Sequence, residues 1–265
     1  MTKLLYKDLT KRIIGVYYGV YNGTSRTYPE YIYENGMMHD LCALHIPCAR
    51  QDEYEIWYKD QLIGKQRLDI FVAGEVVVEL KVVPRLTRLN QAQTISYLKT
   101  TGKKVGLLFN FGGTEPQFAR LYYEPREAVF KSEAAKRACA ELPADYLSPE
   151  LTYELIGGLY EVHHVLGPGF IWRMYANACQ HELKLRGLDV RREKVMRVIY
   201  RGVPIGAIKF THLRVENVMV FPAAIQDIRD VRVDNFKDWM RTQNVPLGIL
   251  ANFHALSLKP VVLRT

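Results

Sequence analysis

The side chains best suited to chemistry lie in the run RLDIFVAGEVVVELKVV, residues 67–83. It holds Asp69, then Glu79 and Lys81 two positions apart. Residues two apart on a strand emerge on the same face, so Glu79 and Lys81 stand together. Val76, Val78 and Leu80 then take the other face, where a helix can cover them. The run reads as a β-hairpin with Ala73-Gly74 at its tip and Asp69 in its first strand. The carboxylates of Asp69 and Glu79 offer the hard oxygens that Mg2+ prefers, with Mn2+ able to substitute, and leave positions for water and a phosphate oxygen. Such an ion acidifies water and steadies charge developing on a phosphate. Lys81 can orient the attacking water or neutralise the pentavalent transition state. Charged residues on an antiparallel strand are more commonly a solvated face, and Glu-x-Lys alone is a weak motif. The apolar character of the rest of the hairpin speaks for a site.

Gln91, Gln93 and Tyr97 follow on a helix, where Gln93 and Tyr97 are four apart and share a face. A glutamine there can bind a phosphate or a water, or can cap the hairpin. Arg67 shares the face of Asp69 and can contact phosphate or pair with a neighbouring carboxylate. His163 and His164 are adjacent, so on a helix they point in different directions, at the surface or the core edge. The tyrosines at 17, 18, 21, 28, 31 and 33 can stack on bases, but packing between helix and sheet explains most of them. Cys42, Cys48, Cys139 and Cys179 show no CxxC pairing and read as reduced thiols.

These residues sit in a sequence that repeats itself. With an offset of 142 residues, Gly106-Leu107-Leu108-Phe109-Asn110-Phe111 meets Gly248-Ile249-Leu250-Ala251-Asn252-Phe253, and Tyr33, Asn35, His39 and Leu41 meet Tyr175, Asn177, His181 and Leu183. The overlay needs no gap, which predicts two domains of one fold. The expected bounds are 1–125 and 150–265, with a linker at 126–149 that reads as a short helix closed by Pro143 and Pro149. Each half predicts helices (Leu9–Tyr21 or Leu151–Val165, then one ending near Leu41 or Leu183). Strands follow at 53–59, 66–72 and 75–82, a helix from Thr87 to Thr101 stopped by Gly102, and strands at 105–111 and 118–123. That order gives a mixed α/β sheet flanked by helices.

With 48% hydrophobic and 24% charged residues in 265, the chain can build real cores. No apolar run approaches the ~20 residues of a membrane span, and charges at Lys7, Asp8, Lys11 and Arg12 interrupt any signal-like stretch. The reading is a cytoplasmic protein without a membrane partner. The net charge of +8 favours phosphate-rich partners. The first half carries 16 basic and 13 acidic residues and the second 16 and 11, so bulk charge does not separate their roles.

Asp69, Glu79-Leu80-Lys81, Gln93, Tyr97 and GLLFNFG together resemble the GxxExxY family, a branch of the PD-(D/E)XK nuclease superfamily. The family opens with a GPG turn and Glu-x-x-Tyr, followed by HEL and RGL elements. The first half shows Glu30-Tyr31-Ile32-Tyr33 but Ser25-Arg26-Thr27 in place of GPG. The second shows Gly167-Pro168-Gly169, His181-Glu182-Leu183 and Arg186-Gly187-Leu188. The resemblance implies two tandem PD-(D/E)XK nuclease-like domains arranged as an internal pseudo-dimer. It makes Asp69, Glu79, Lys81 and Gln93 catalytic, with Asp69, Glu79 and Glu30 holding Mg2+ and with Arg67 and Tyr97 near the nucleic acid. The implied activity is phosphodiester hydrolysis of DNA or RNA by the first domain. In the second, Trp172, Thr211, Phe221 and Ala223 stand where Glu30, Asp69, Glu79 and Lys81 stand. A phenylalanine cannot ligate Mg2+, and Phe221-Pro222 is expected to disturb its strand. The second domain then serves as a binding or scaffolding partner. The alternative is a nucleic-acid-binding or regulatory module of nuclease fold without turnover.

Overall fold

A computed structural model describes residues 4–50, 53–124 and 149–265. The chain divides into two compact units, Met1–Ile56 with Gly64–Glu127, and Trp57–Ile63 with Ala128–Thr265. In the first unit, helices α1 (Lys7–Gly23) and α2 (Glu30–Ala43) precede β1 (Cys48–Arg50). A two-stranded ribbon follows, β2 (Glu53–Tyr58) and β3 (Gln61–Arg67), then β4 (Ile70–Val72) and β5 (Val76–Lys81). Helix α3 (Arg88–Thr101) leads to β6 (Val105–Asn110) and β7 (Gln117–Tyr122). The main sheet runs β1-β4-β5-β6-β7, parallel only between β5 and β6.

Local chemistry accounts for these limits. Thr87 and Asn90 form a reciprocal capping box at the start of α3, and Gly102, left-handed at φ 67°, ends it. Ala73 and Gly74 both have positive φ, 52° and 68°, as the mirror-image turns of tight hairpins require. Val76, Val78 and Leu80 pair in register with Val105, Leu107 and Phe109. Together they form the buried core beneath α1 and α2. The opposite face, carrying Val77, Glu79 and Lys81, lies on the side of α3. A Cβ on Gly106 would come within 3.0 Å of Thr94 Cγ2 and 3.3 Å of Leu98 Cδ1, so α3 rests directly on that glycine. Tyr17 and Tyr21 of α1 serve packing: both are buried, and Tyr17 stacks on Phe109 with centroids 4.4 Å apart.

The second unit repeats the plan with α4 (Pro149–Leu166), α5 (Trp172–Leu185), β8 (Arg191–Tyr200), β9 (Val203–Val215) and β10 (Val218–Ala223). Helix α6 (Val233–Thr242), β11 (Leu247–Asn252) and β12 (Val261–Arg264) complete it, in the sheet order β12-β11-β10-β9-β8. Here β8 and β9 form one long antiparallel ribbon. The matching described residues before Val76 form β1, β2, β3 and β4.

Several expectations need correction. The strand expected at 66–72 is broken at Leu68 and Asp69, and Asp69 occupies a bend just before β4. The residues before the break, Gln61–Arg67, form β3 with β2 rather than joining the main sheet. Pro222 does not disturb its strand, because β9 pairs with β10 only from Val218 to Val220. Beyond that point β10 has one hydrogen-bonded neighbour, an edge-like position that proline tolerates. The expected linker helix lies outside the described residues, and Pro149 is the first residue of α4. No described helix is long and apolar enough to cross a membrane.

Candidate functional site

Three elements of the first unit bring acidic side chains together. The bend before β4 supplies Asp69, whose Oδ2 accepts the Leu80 backbone N–H at 2.7 Å. This bond ties the bend to β5 and sets the Asp69 carboxyl beside Glu79. Strand β5 supplies the buried Glu79 and Lys81, whose Nζ donates to Glu79 Oε1 at 2.6 Å. The first turn of α2 supplies Glu30, within the electrostatic reach of Lys81 and Asp69.

The electrostatics report a crowded site. Burial pushes the Glu79 carboxyl up, the adjacent Asp69 charge adds to the effect, and Lys81 opposes it, leaving Glu79 near a pKa of about 8. Burial also raises Asp69, against the pull of the Leu80 N–H and Lys81. Glu30 is raised by burial too, with Asp69 and Glu34 adding to it and Lys81 opposing. For Lys81 burial acts downward, yet Glu79, Asp69 and Glu30 outweigh it and hold the ammonium charged. One lysine thus faces more negative charge than it can neutralise.

Two residues escaped the sequence reading. Glu34 is buried on α2 and contacts Arg50 Nε of β1 at 3.2 Å, while Arg50 also bonds Asn35. The signal for Glu34 was present, since it lies four residues after Glu30 and shares its helix face. Arg50 had none, because β1 approaches α2 only in three dimensions.

Gln93 Nε2 donates to Tyr97 Oη at 2.8 Å, and Tyr97 is buried in α3. Arg67 points to Glu53 across the β2–β3 ribbon, 3.4 Å from Oε1, in an exposed ion pair. Of the two roles open to Arg67, the structure supports the ion pair. His163 bonds the carbonyl of Ala255 at 2.8 Å, a packing role. Cys42, Cys48 and Cys179 are free thiols, and Cys139 lies outside the described residues.

The loop before α2 keeps its shape without the GPG turn. Tyr33 Oη donates to Ser25 O at 2.7 Å and accepts from Tyr28 N at 3.0 Å. In the second unit Tyr175 Oη donates to Gly167 O at 2.7 Å and accepts from Phe170 N at 3.1 Å. The three residues of each clamp match at the repeat offset. Tyrosine therefore pins the loop in both units, whichever residues form the turn, and so sets where α2 begins with Glu30.

The equivalent place in the second unit is apolar. Phe221 is fully buried, with Phe236 edge-on at 4.9 Å and His212 stacked at 5.5 Å. Thr211 and Ala223 are buried beside it, and Trp172 packs on Phe210 at 5.6 Å. Among the side chains at these positions none is a carboxylate.

The sequence profile of the PD-(D/E)XK nuclease superfamily matches residues 7–121 and again residues 149–265. The chain belongs to the PD-(D/E)XK nuclease superfamily. No curated protein and no solved structure matches it. Both nuclease-like copies have the mixed sheet flanked by helices that the sequence predicts. Nucleases of this superfamily generally use divalent metal ions. Among the described residues no three His, Cys, Asp or Glu side chains already form a cation site. In this arrangement Asp69 Oδ2 is turned to the Leu80 N–H and Glu79 Oε1 to Lys81. The residues nevertheless fit a cation, because Glu79 Oε2 is buried and receives no hydrogen bond from any described residue. A buried carboxyl oxygen without a hydrogen-bond partner costs about 1–3 kcal/mol, and a bound cation would offset this while favouring the ionised form of Glu79.

Proposed function

We propose that the first unit hydrolyses phosphodiester bonds of DNA or RNA with a divalent cation, Mg2+ or Mn2+, and that the second unit binds or scaffolds. The observation that carries this reading is the unpartnered, buried Oε2 of Glu79 between Asp69 and Lys81. Asp69, Glu79 and Glu30 would hold the cation, which when bound would withdraw electron density from the scissile phosphate and supply an acidified water. Lys81 keeps its proton, so its ammonium can hydrogen-bond a non-bridging phosphate oxygen as negative charge grows there. Asp69, held by the Leu80 N–H, presents its remaining oxygen without rearranging the backbone. Glu34 and Arg50 act behind these groups as positioning residues for α2. Gln93, whose amide nitrogen bonds Tyr97, is the helix residue that would orient water or substrate.

The finer likeness to the GxxExxY branch is supported by the tyrosine clamp, which gives its Glu-x-x-Tyr spacing a physical purpose. The decisive experiment measures cleavage of duplex and single-stranded DNA and RNA with Mg2+ and Mn2+, using wild type, Asp69→Asn and Glu79→Gln. The reading expects cleavage by wild type and loss in both variants, with circular dichroism showing that both fold. Undiminished cutting by either variant would remove these residues from the site. A second reading, a nucleic-acid-binding module without turnover, is favoured by the second unit, where the same fold stands on an apolar face. Salt-sensitive binding by wild type without cleavage under any of these conditions would select it.

A further inference from the structure

The ribbon β8–β9 of the second unit is unlike its counterpart. Residues 191–215 carry seven basic side chains and one acidic, a net of +6, whereas the equivalent residues 49–73 carry four and five, a net of −1. Most of the excess positive charge of the chain is therefore concentrated in one hairpin. Arg191, Arg192, Lys194, Arg197, Arg201 and Lys209 are exposed, and among the described residues none of the six forms an ion pair. Every residue from Val203 to Lys209 is exposed, so the end of the ribbon is bare on both faces.

The pairing sets which side chains share a face. Val195 lies opposite Lys209 and Arg197 opposite Ala207, on one face, while Met196 and Ile208 lie on the other. Met196 joins the buried cluster that includes Phe236, Trp239 and Met240 of α6. The face bearing Arg197 and Lys209 is thus turned away from that core. Next to the charges stand exposed apolar groups, Tyr200 (56%), Val203 (61%) and Ile205 (64%). Gly206 keeps the ribbon thin with no packing need, since a Cβ there would meet nothing within 4 Å.

The hairpin β2–β3, at the matching positions, has a different fate. Its turn, Trp57–Ile63, belongs to the second compact unit. There Tyr58 Oη and Lys59 Nζ bond Glu182 Oε2 at 2.8 and 2.5 Å, and Asp60 pairs with His181 at 2.7 Å. Tyr200 and Arg201 occupy the matching positions of the second ribbon and remain exposed. Packing one such ribbon on another would oppose two arms of net +6, so the occupant that fits is a polyanion.

We propose that β8–β9 is a nucleic-acid-binding arm whose outer face, with Arg197 and Lys209, follows the phosphates of duplex DNA. A two-stranded ribbon fits the major groove of B-form DNA, about 12 Å wide, whereas the A-form major groove of duplex RNA is too narrow for it. The cations contact phosphates and the apolar end contacts the groove. This inference rests on the reading that the chain acts on nucleic acid, and it assigns substrate capture to a part of the molecule that holds no catalytic group.

The test is fluorescence anisotropy of labelled duplex DNA with the full chain in EDTA, over a series of salt concentrations. Wild type is compared with Arg197→Gln/Lys209→Gln and with Lys11→Gln. Each lost phosphate contact lowers the slope of log K against log salt by about 0.9, so the double variant is expected to lose roughly 1.8 from the slope and about tenfold or more in affinity. Lys11→Gln, which removes an exposed cation outside the ribbon, is expected to bind as wild type. Because both ribbon residues are exposed, the thermal melt of the double variant should match wild type. An unchanged slope in the double variant overturns the proposal, as does tighter binding of duplex RNA than of duplex DNA. Self-association of wild type that the double variant abolishes, seen by sedimentation, overturns it in favour of a second copy as occupant. Cleavage that fails in wild type while DNA binding depends on the ribbon removes the nuclease reading and leaves the arm. Cleavage with ribbon-independent binding does the reverse.

Discussion

The same face of the same sheet is built in opposite ways in the two units. In the first it carries buried Glu79 and half-buried Lys81 next to Asp69, with a Glu79 oxygen that no described residue satisfies. In the second it carries Phe221 and Ala223 in an aromatic cluster with Phe236, Trp239 and Met240. Helices, strand order and the tyrosine clamp are shared, so the fold itself does not require the charged set. Burying a carboxylate and an ammonium is rarely the most stable solution, and well-packed apolar side chains of similar volume often do as well or better. The second unit took that solution. The first retains an arrangement that is unfavourable without a cation, and strain of this sort concentrates at functional sites.

Substitutions can break or sharpen this contrast. The largest effect is expected on catalysis. Asp69→Asn or Glu79→Gln should lower cleavage by about a thousandfold or more, matching the several kcal/mol that a metal ion contributes to charge stabilisation. Thr211→Ala, at the matching position in the second unit, should leave cleavage unchanged, as measured by initial rates. Next comes Phe221→Ala, which should cost about 3–5 kcal/mol of stability in denaturant melts through the cavity it leaves. Its cleavage rate per folded molecule should stay that of wild type.

A third effect concerns pH. A carboxyl raised in the folded state favours folding while it is protonated. The contribution of Glu79 is therefore complete below the ordinary carboxylate range and is lost as pH rises toward about 8. Asp69 and Glu30 are also raised and act with the same sign. Without metal, stability should fall as pH rises between about 4.5 and 8. Glu79→Gln should flatten much of that slope in thermal melts, and saturating Mg2+ should flatten it in wild type. A wild-type stability that climbs over this range would contradict the crowded-carboxylate picture.

Smaller again are the two clamps. Tyr33→Phe and Tyr175→Phe should each cost about 1 kcal/mol or slightly more through lost hydrogen bonds. Only Tyr33→Phe should also slow cleavage, because its loop sets the start of α2 and so Glu30. The smallest effect is expected for Arg67→Ala, whose exposed pair with Glu53 is worth at most about 1 kcal/mol.

Much of this was legible in the sequence. The repeat offset alone aligns α2, Glu30–Ala43, with α5, Trp172–Leu185, end to end. A glycine cap marked the end of α3, and strand alternation put Glu79 and Lys81 on one face. What was hidden depends on contacts distant in the chain. The break at Leu68 and Asp69 could not be read from strand propensity, because local residues there favour an extended chain. The pull that bends it comes from the Leu80 N–H, eleven residues away. Arg50 reaches Glu34 from a three-residue strand too short to show periodicity. Pro222 misled for a similar reason, since the end of its antiparallel pairing depends on how far β9 extends.

The central claim is that the first unit, and not the second, holds a divalent cation between Asp69, Glu79 and Glu30. Calorimetric titration with Mn2+ near pH 8, on wild type and on Asp69→Asn/Glu79→Gln, tests it most directly. The account predicts saturable binding by wild type and none by the double variant, with Thr211→Ala binding as wild type does. Binding that survives in the double variant would place the ion elsewhere and contradict the account.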